Sequence, residues 1–329
     1  MKYSIQPRSA EGFNAGTKAV KDVSRILNEE GYLPFFVGSN YNGNHFYRLF
    51  ILIYDLLRLF FKAKKDDLFF IQWPYYNYLM PFFYWIVKKR CKKIQLLAHD
   101  INSLRKGYHG SWDFPFFQMS EAIIVHSVAM KDYLVRKGIN ERKIWILTAF
   151  DYLTDDKVTI RRTNCNEVAY AGNLKKSTFL HKIDAKDSQV KFNCYGKQIM
   201  NFPTGLCYKC AFTPENVSAL EGAWGLVWDG DSLDCCHGEF GDYLRYNAPH
   251  KLSLYIVAEL PVIIWESSAL AEYVKSKGIG ILITSIREIN GKIQNISDDE
   301  YRNMVLNVQK ESMVLREGGH LRNILNKIG

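Results

Sequence analysis

Short runs of apolar and β-branched residues alternate along the chain with longer stretches whose apolar positions recur at helical spacing. KYSIQP opens as a strand. TKAVKDVSRILNEEGY then carries Ala19, Val20, Val23, Ile26 and Leu27 on one helical face. YLPFFVGS, LFFIQW, IQLLAHD, EAIIVHS and KIWILTAF read as further strands, and helices are expected over 49–61, PFFYWIVKKR and 128–137. This alternation predicts a parallel sheet with helices on both faces, a Rossmann-like α/β domain.

The rhythm restarts near residue 152. TNCNEVAYAGNLKKS gives a strand ending in a glycine turn and basic residues. VKFNCYG, CYKCAFT, WGLVWDG, PVIIWES and IGILITS supply more strands, and PENVSALEG and AEYVKSKG short helices. TDDKVTIRRTN, polar and without strong periodicity, is the expected linker, so the domains should be 1–151 and 152–329. The span 298–327 has long helical character and could cross back onto the first domain. No short-period repeat or low-complexity tract occurs.

Composition narrows the picture only slightly. A chain of 329 residues, 47% of them hydrophobic, can bury two cores. A net charge of +9 permits attraction to sugar nucleotides, anionic lipid or nucleic acid; without an RNA-binding or zinc-finger signature, no nucleic-acid partner is expected. MKYSIQPRS lacks the apolar core of a signal peptide, so the seven cysteines read as reduced thiols of a cytoplasmic protein. Residues 68–87 contain no charge, yet Gln72, Pro74, Asn77 and Pro81 interrupt them, which favours a buried strand and a proline-initiated helix over a membrane span. The run 49–61 carries Asp55 and Arg58 and fits a helix facing a core. KKRCKK at 88–93, beside aromatic residues, could touch anionic lipid peripherally at the inner face of a membrane; it equally fits a solvated helix end.

The stretch YNAPHKLSLYIVAELPVIIW strings a loop, a helix and a buried strand together. Asn247 can cap, Pro249 suits the first turn, and His250 and Lys251 put donors where a helix N-terminus already attracts anions. Leu252, Leu254, Tyr255 and Ala258 continue the helix, and Glu259 and Leu260 leave it. Such a block can bind a nucleotide or sugar-nucleotide diphosphate. Asn173, Lys175 and Lys176 form a second positive edge or an ordinary polar turn; AGNLKKST lacks the glycine before lysine that a P-loop needs. Gly12, Asn14, Gly16 and Thr17 make a flexible turn able to approach phosphate. His99 and Asp100 end a strand, where Asp100 can serve as a base or cap the following INSLR segment; His126 and Arg105 read as structural. Asp229 and Asp231 mimic a carboxylate pair that holds a divalent cation, but two Rossmann-like halves and the PHKL block argue against that architecture. Cys207, Cys210, Cys235, Cys236 and His237 are zinc-ligand types, but a strand would point the first two thiols apart, so free cysteines are expected.

The glycine turn at 12–16, AHDINSLR, AGNLKKS and NAPHKLSLYIVAELPVI, set in two Rossmann-like halves, resemble bacterial nucleotide-sugar glycosyltransferases of the GT-B fold. Among these the chain is similar to the family containing galactofuranosyltransferases and the glucosyltransferase that extends GlcNAc on serine-rich-repeat adhesins. The resemblance implies an N-terminal acceptor domain and a C-terminal donor domain facing a cleft. It also implies hexosyl transfer from a UDP-sugar, with inversion, to a lipid-linked or protein-linked glycan acceptor, with no cofactor and no obligatory metal. Lys251 and the amides around His250 and Leu252 would meet the leaving diphosphate, with Asn173, Lys176, Gly16 and Thr17 beside it. Phe212, Thr213 and Glu215 would hold uracil and ribose, though Thr213 and Glu215 could instead cap the next helix. Asp100, or His99 in its place, would be the base. The commonest GT-B pattern has two glutamates seven residues apart around the donor loop. Here Asn247 stands in that neighbourhood, so the sugar contacts cannot be copied. A homo-oligomer is compatible with the resemblance, although no heptad establishes one. A noncatalytic nucleotide-sugar-binding scaffold is the competing reading, separable by UDP release.

Overall fold

The apolar runs become parallel strands. The computed structural model describes residues 1–7, 15–38, 44–75, 77–105, 108–159, 163–184 and 189–329. The first unit contains β1 (Lys2–Gln6), α1 (Ala15–Glu29, whose start up to Ala19 groups with the second unit), β2 (Leu33–Phe36), α2 (His45–Lys62), β3 (Leu68–Trp73), α3 (Met80–Arg90), β4 (Lys93–Ala98), α4 (Asp113–Met119), β5 (Ala122–Val125), α5 (Val128–Arg136) and β6 (Ile144–Ile146). Its sheet runs β2-β1-β3-β4-β5-β6 with every pairing parallel. Phe69, Phe70, Ile71, Leu96, Leu97, Ile123 and Ile124 are fully buried, because helical crossovers cover both faces of such a sheet.

The second unit holds β7 (Glu167–Ala171), β8 (Lys191–Tyr195), β9 (Cys207–Tyr208), β10 (Trp224–Val227), α6 (Gly238–Gly241), α7 (His250–Val257), β11 (Val262–Trp265), α8 (Ala271–Lys277), β12 (Gly280–Ile283), α9 (Ile289–Gln294) and α10 (Asp298–Arg316). Its order is β12-β11-β10-β7-β8-β9, again all parallel. The core gathers Tyr170, Trp224, Trp228 and Tyr301. Gly225 is needed there: a Cβ on it would lie 2.3 Å from Cγ of Tyr255. That ring lets α7 pack flat on β10, and its hydroxyl accepts the Ala171 N–H at 2.8 Å, fixing α7 against the end of β7.

The last helix, α11 (Gly319–Ile328), returns the chain to the first unit, which includes Leu321–Gly329. Gln95 donates to the Ile328 carbonyl at 3.0 Å, and Arg322 pairs with Glu29 and Glu30. The long helical character read over 298–327 is therefore two helices, broken at Gly318, whose φ is +72°.

Several local expectations change. Gly16 and Thr17 lie inside α1, not in a turn, while Gly12 and Asn14 fall outside the described residues. Lys18 anchors that first helical turn by donating to the Leu153 carbonyl at 2.5 Å and lying over the Tyr152 ring, which offsets the weak helix preference of glycine. CYKCAFT is a strand only at Cys207–Tyr208, since Cys210 takes a φ of +67°. PENVSALEG yields a single 3₁₀ turn, Val217–Ala219. The helix expected over 49–61 forms within α2 but faces a core on one side only: Leu52, Leu56 and Leu59 are buried while Phe50, Tyr54 and Leu57 are exposed.

Candidate functional site

In an open parallel sheet, a crevice forms beyond the C-terminal strand ends where the strand order reverses. In the second unit that point lies between β7 and β10, because β8 and β9 continue to one side of β7 and β10 to β12 to the other. Lys251, in the first turn of α7, reaches it. Its ammonium donates to Asp229 Oδ1 at 2.7 Å, the Trp228 carbonyl at 3.1 Å and the Tyr170 hydroxyl at 3.3 Å, with 12% of the side chain exposed. Three N–H groups thus meet three acceptors. Burial, reinforced by the Asp229 carboxylate, holds the Tyr170 phenol well above its ordinary pKa, so it stays neutral and can hydrogen-bond Ser177. Ser177 in turn donates to the Asn173 carbonyl at 3.0 Å, tying the turn after β7 to the same network.

Beside this network opens a cavity of about 410 Å³ lined by Asn173, Lys175, Lys176, Asp231, His237 and Phe240, among others. Lys176 lies 4.2 Å above the Phe240 ring. Gly230, at φ +109°, makes the fold of this wall possible, since a Cβ there would sit 2.4 Å from the His237 carbonyl. Asp229 and Asp231 have different surroundings: Asp229 holds Lys251 and Asp231 faces the cavity. Among the described residues no three His, Cys, Asp or Glu side chains gather as metal ligands, and the seven cysteines are unbridged.

Other residues of the block have different surroundings. The His250 ring packs on Tyr152 and Phe150, with centroids 5.0 and 5.9 Å away. Leu252 is fully buried and its N–H donates to the Pro249 carbonyl at 2.9 Å, so that amide is used within the turn. Asn247 does not cap α7. Pro249 occupies the cap position with extended φ −67° and ψ 131°, no side chain caps the helix, and Asn247 lies too early in the chain to reach its first amides. The Asn247 Oδ1 is buried without a hydrogen-bond partner among the described residues. Phe212 meets Tyr195 edge-on at 5.6 Å, and Thr213 and Glu215 are exposed; none of the three lines the cavity. Their capping role is absent too, as Asn216 precedes the 3₁₀ turn without a side-chain cap.

In the first unit the strand order reverses between β1 and β3, and His99 and Asp100 follow β4, the neighbour of β3. Gln72 donates its amide to Ser24 Oγ at 2.9 Å and to the Val20 carbonyl at 3.3 Å. A carbonyl can only accept, so the Gln72 oxygen faces His99, and His99 Nε2 donates to it at 2.8 Å. Burial pushes His99 down to about 4, leaving a neutral imidazole at physiological pH. Asp100 does not cap the turn at Asn102–Leu104, whose cap position is Ile101; its Oδ2 pairs instead with Arg105 at 2.8 Å. Arg105 also lies 3.8 Å over the Tyr108 ring.

Sequence reasoning missed Tyr170, Phe240 and the role of Asp229. Tyr170 carried a faint signal as a phenol at the end of an otherwise apolar strand, but the pairing of Asp229 with Lys251 spans 22 positions and exists only in the fold.

Two parallel Rossmann-like units, with a cavity carrying Lys175 and Lys176 beside the switch point of the second, are the architecture of the GT-B glycosyltransferases. Residues 2–149 match the N-terminal domain, and residues 168–328 the C-terminal domain, of the glucosyltransferase 3-like proteins; the chain belongs to this family. The β-1,6-galactofuranosyltransferase WbbI of Escherichia coli (strain K12) is 33% identical over 261 residues, 78% of this chain and 76% of that protein. Glucosyltransferase 3 of Streptococcus gordonii is 26% identical, over 64% of this chain and 61% of its own length. In fold, Alr3699/HepE of Anabaena, solved in complex with UDP, matches with a TM-score of 0.61 at 12% identity, covering 99% of this chain and all of that one (100%).

Proposed function

We propose that the chain transfers a hexose, galactofuranose or glucose, from a UDP-sugar to a hydroxyl of a glycan acceptor used in bacterial surface polysaccharide or glycoprotein assembly, with inversion and without an obligatory metal. The observation that carries this reading is Lys251, a nearly buried ammonium at the switch point of the second sheet. A departing nucleoside diphosphate develops negative charge, and a cation held in place beforehand stabilises it without reorganising at the moment of reaction. Asp229 sets that position. An arriving diphosphate takes over part of the ammonium now shared with Tyr170 and the Trp228 carbonyl, and the N-terminus of α7, from His250 to Leu252, adds its dipole.

Asn173 and Lys176 reach the diphosphate from the cavity wall, and Asn247 offers the buried oxygen it now leaves unmatched to a sugar hydroxyl. Phe212, Thr213 and Glu215 contact the nucleoside, and Gly16 and Thr17 approach from the first turn of α1. Asp100 takes the acceptor proton, with His99 as the neighbouring neutral imidazole. The names of the relatives support galactofuranose and glucose as the sugars to try first, and the UDP bound by the Anabaena protein supports UDP as the carrier. Lipid-linked or protein-linked acceptors, a cytoplasmic place of action and a homo-oligomer complete the reading. Among the described residues no helix is long and apolar enough to cross a membrane.

The test is UDP release from a panel of UDP-sugars, with and without chelator, followed by acceptor dependence. Release from one UDP-hexose that persists in chelator is expected. Release from none of the panel sinks the donor reading, and a block by chelator restored by one divalent ion sinks the metal-independent one.

A further inference from the structure

The helix α2 is apolar on both sides, and its outer side is uncovered. Phe46, Tyr47, Phe50, Tyr54, Leu57 and Phe61 all face solvent, with Phe46 81%, Phe50 67% and Phe61 75% exposed. At 3.6 residues per turn these six fall within an arc of about 100°, opposite the arc that buries Leu52, Asp55 and Leu59. The neighbouring α3 extends the surface: Trp85, 49% exposed, is stacked between Phe60 at 5.5 Å and Phe82 at 5.8 Å. Arg90 crosses from the end of α3 to the end of α2, donating to the Ala63 carbonyl at 3.1 Å while lying over Phe60. It thereby brings two clusters of exposed lysines together, Lys62, Lys64 and Lys65 with Lys88 and Lys89. Over 44–67 the carboxylates are Asp55, buried against Arg58, Asp67, buried against the N-terminal amine, and the exposed Asp66; over 78–93 there is none.

We infer that this face binds the surface of an anionic lipid bilayer. Aromatic rings with one polar edge suit the boundary between headgroups and acyl chains, and lysines beside them suit negatively charged headgroups. The helix does not cross the bilayer; it lies along it, its six outer side chains sunk and its basic end among the headgroups. A second copy is the poorer occupant on charge, because a two-fold contact would bring Lys62, Lys64, Lys65, Lys88 and Lys89 of each copy to a face whose exposed carboxylate over 44–67 and 78–93 is Asp66.

The test uses the full chain in vesicle flotation, comparing phosphatidylcholine with phosphatidylcholine containing phosphatidylglycerol. The protein should float with the anionic vesicles, less so as salt is raised, and its tryptophan emission should shift to the blue, a change lost in Trp85→Phe. Phe50→Ser with Phe61→Ser, and separately Lys88→Glu with Lys89→Glu, should each weaken vesicle binding by about tenfold or more. Circular dichroism and UDP release with a soluble acceptor should stay as in the parent. Absence of the parent from anionic vesicles overturns the inference without any variant. So does undiminished binding by the folded phenylalanine variant. Dissociation of an oligomer by that variant, with no vesicle binding by the parent, assigns the face to a second copy instead.

Discussion

Lys251 spends all three of its N–H groups inside the protein, so replacing it does two separable things. Lys251→Ala removes the cation that meets the leaving diphosphate and also leaves Asp229 without its partner. Turnover should fall by about 10²- to 10³-fold, and stability by about 1–3 kcal/mol, from the stranded carboxylate. Lys251→Met combined with Asp229→Asn should recover most of the stability and none of the turnover. Denaturant unfolding and UDP release on the same preparations separate the two effects; recovered turnover in the double variant would remove Lys251 from the chemistry. Asp100 makes a simpler case. Asp100→Asn preserves shape but abolishes proton acceptance, so transfer should drop by about two to four orders of magnitude while UDP affinity holds. Transfer within a few fold of the parent would exclude Asp100 as the essential base and turn attention to His99. At this scale the sequence revealed which residues can do chemistry but not which are already engaged. Arg105 beside Asp100, and Asp229 beside Lys251, are partners made by tertiary approach, which neither spacing nor residue type discloses.

Side chains of the second unit, drawn from α8 and from the start of α11, meet at one buried carboxylate, Glu311 of α10. Tyr273 and Lys277 of α8 donate to it at 2.6 and 2.8 Å, and His320 of α11 at 3.0 Å. The other ring nitrogen of His320 donates to the Ala149 carbonyl at 2.9 Å. Since both partners only accept, the ring is an imidazolium. Burial alone would raise Glu311, but hydrogen bonds from His320, Lys277 and Tyr273 outweigh it and hold the carboxyl at about 2, against an ordinary 4.5. Burial alone would lower His320, but Glu311, Asp151 and the Ala149 carbonyl raise it above its ordinary 6.5. The depressed Glu311 therefore stabilises the fold above 4.5 and loses that contribution as pH falls toward 2. The raised His320 contributes fully below 6.5 and loses its share as pH rises through its folded value. Glu311→Gln should accordingly destabilise most between pH 4.5 and 6.5 and less well above 6.5, as read by melting temperature across pH. A difference that does not vary with pH would refute the coupling. The strands LFFIQW and PVIIW were legible because strands covered on both faces are continuously apolar. The outer face of α2 was not, because hydrophobicity tells how much a helix wants a partner and nothing of where that partner lies.

The whole chain divides by packing rather than by order, since Leu321–Gly329 joins the first unit after the second is complete. Leu321, Ile324 and Leu325 are nearly fully buried there, worth roughly 6 kcal/mol together, an amount comparable with the total stability of a domain. Deletion of Leu321–Gly329 should therefore loosen the first unit while sparing the second. Hydrogen exchange of β3 and β4 amides against those of β10 and β11 would show it, and unchanged protection in β3 and β4 would refute it. Two Rossmann-like halves were visible in the alternation of strand and helix; the return of the last helix showed only as leftover periodicity, for a sequence records order and not destination.

That return has a consequence for synthesis. A ribosome delivers α11 only after both sheets, so the unit whose strands are made first is completed after the other. The emerging first unit must wait for roughly 180 further residues, about 10–40 s at bacterial elongation rates, with the seat of its final helix uncovered. The residues of the second unit run no further than His320, so it can close in the meantime. A nascent chain thus carries its least finished surface on the unit translated earlier, and that is where chaperones and proteases should first take hold.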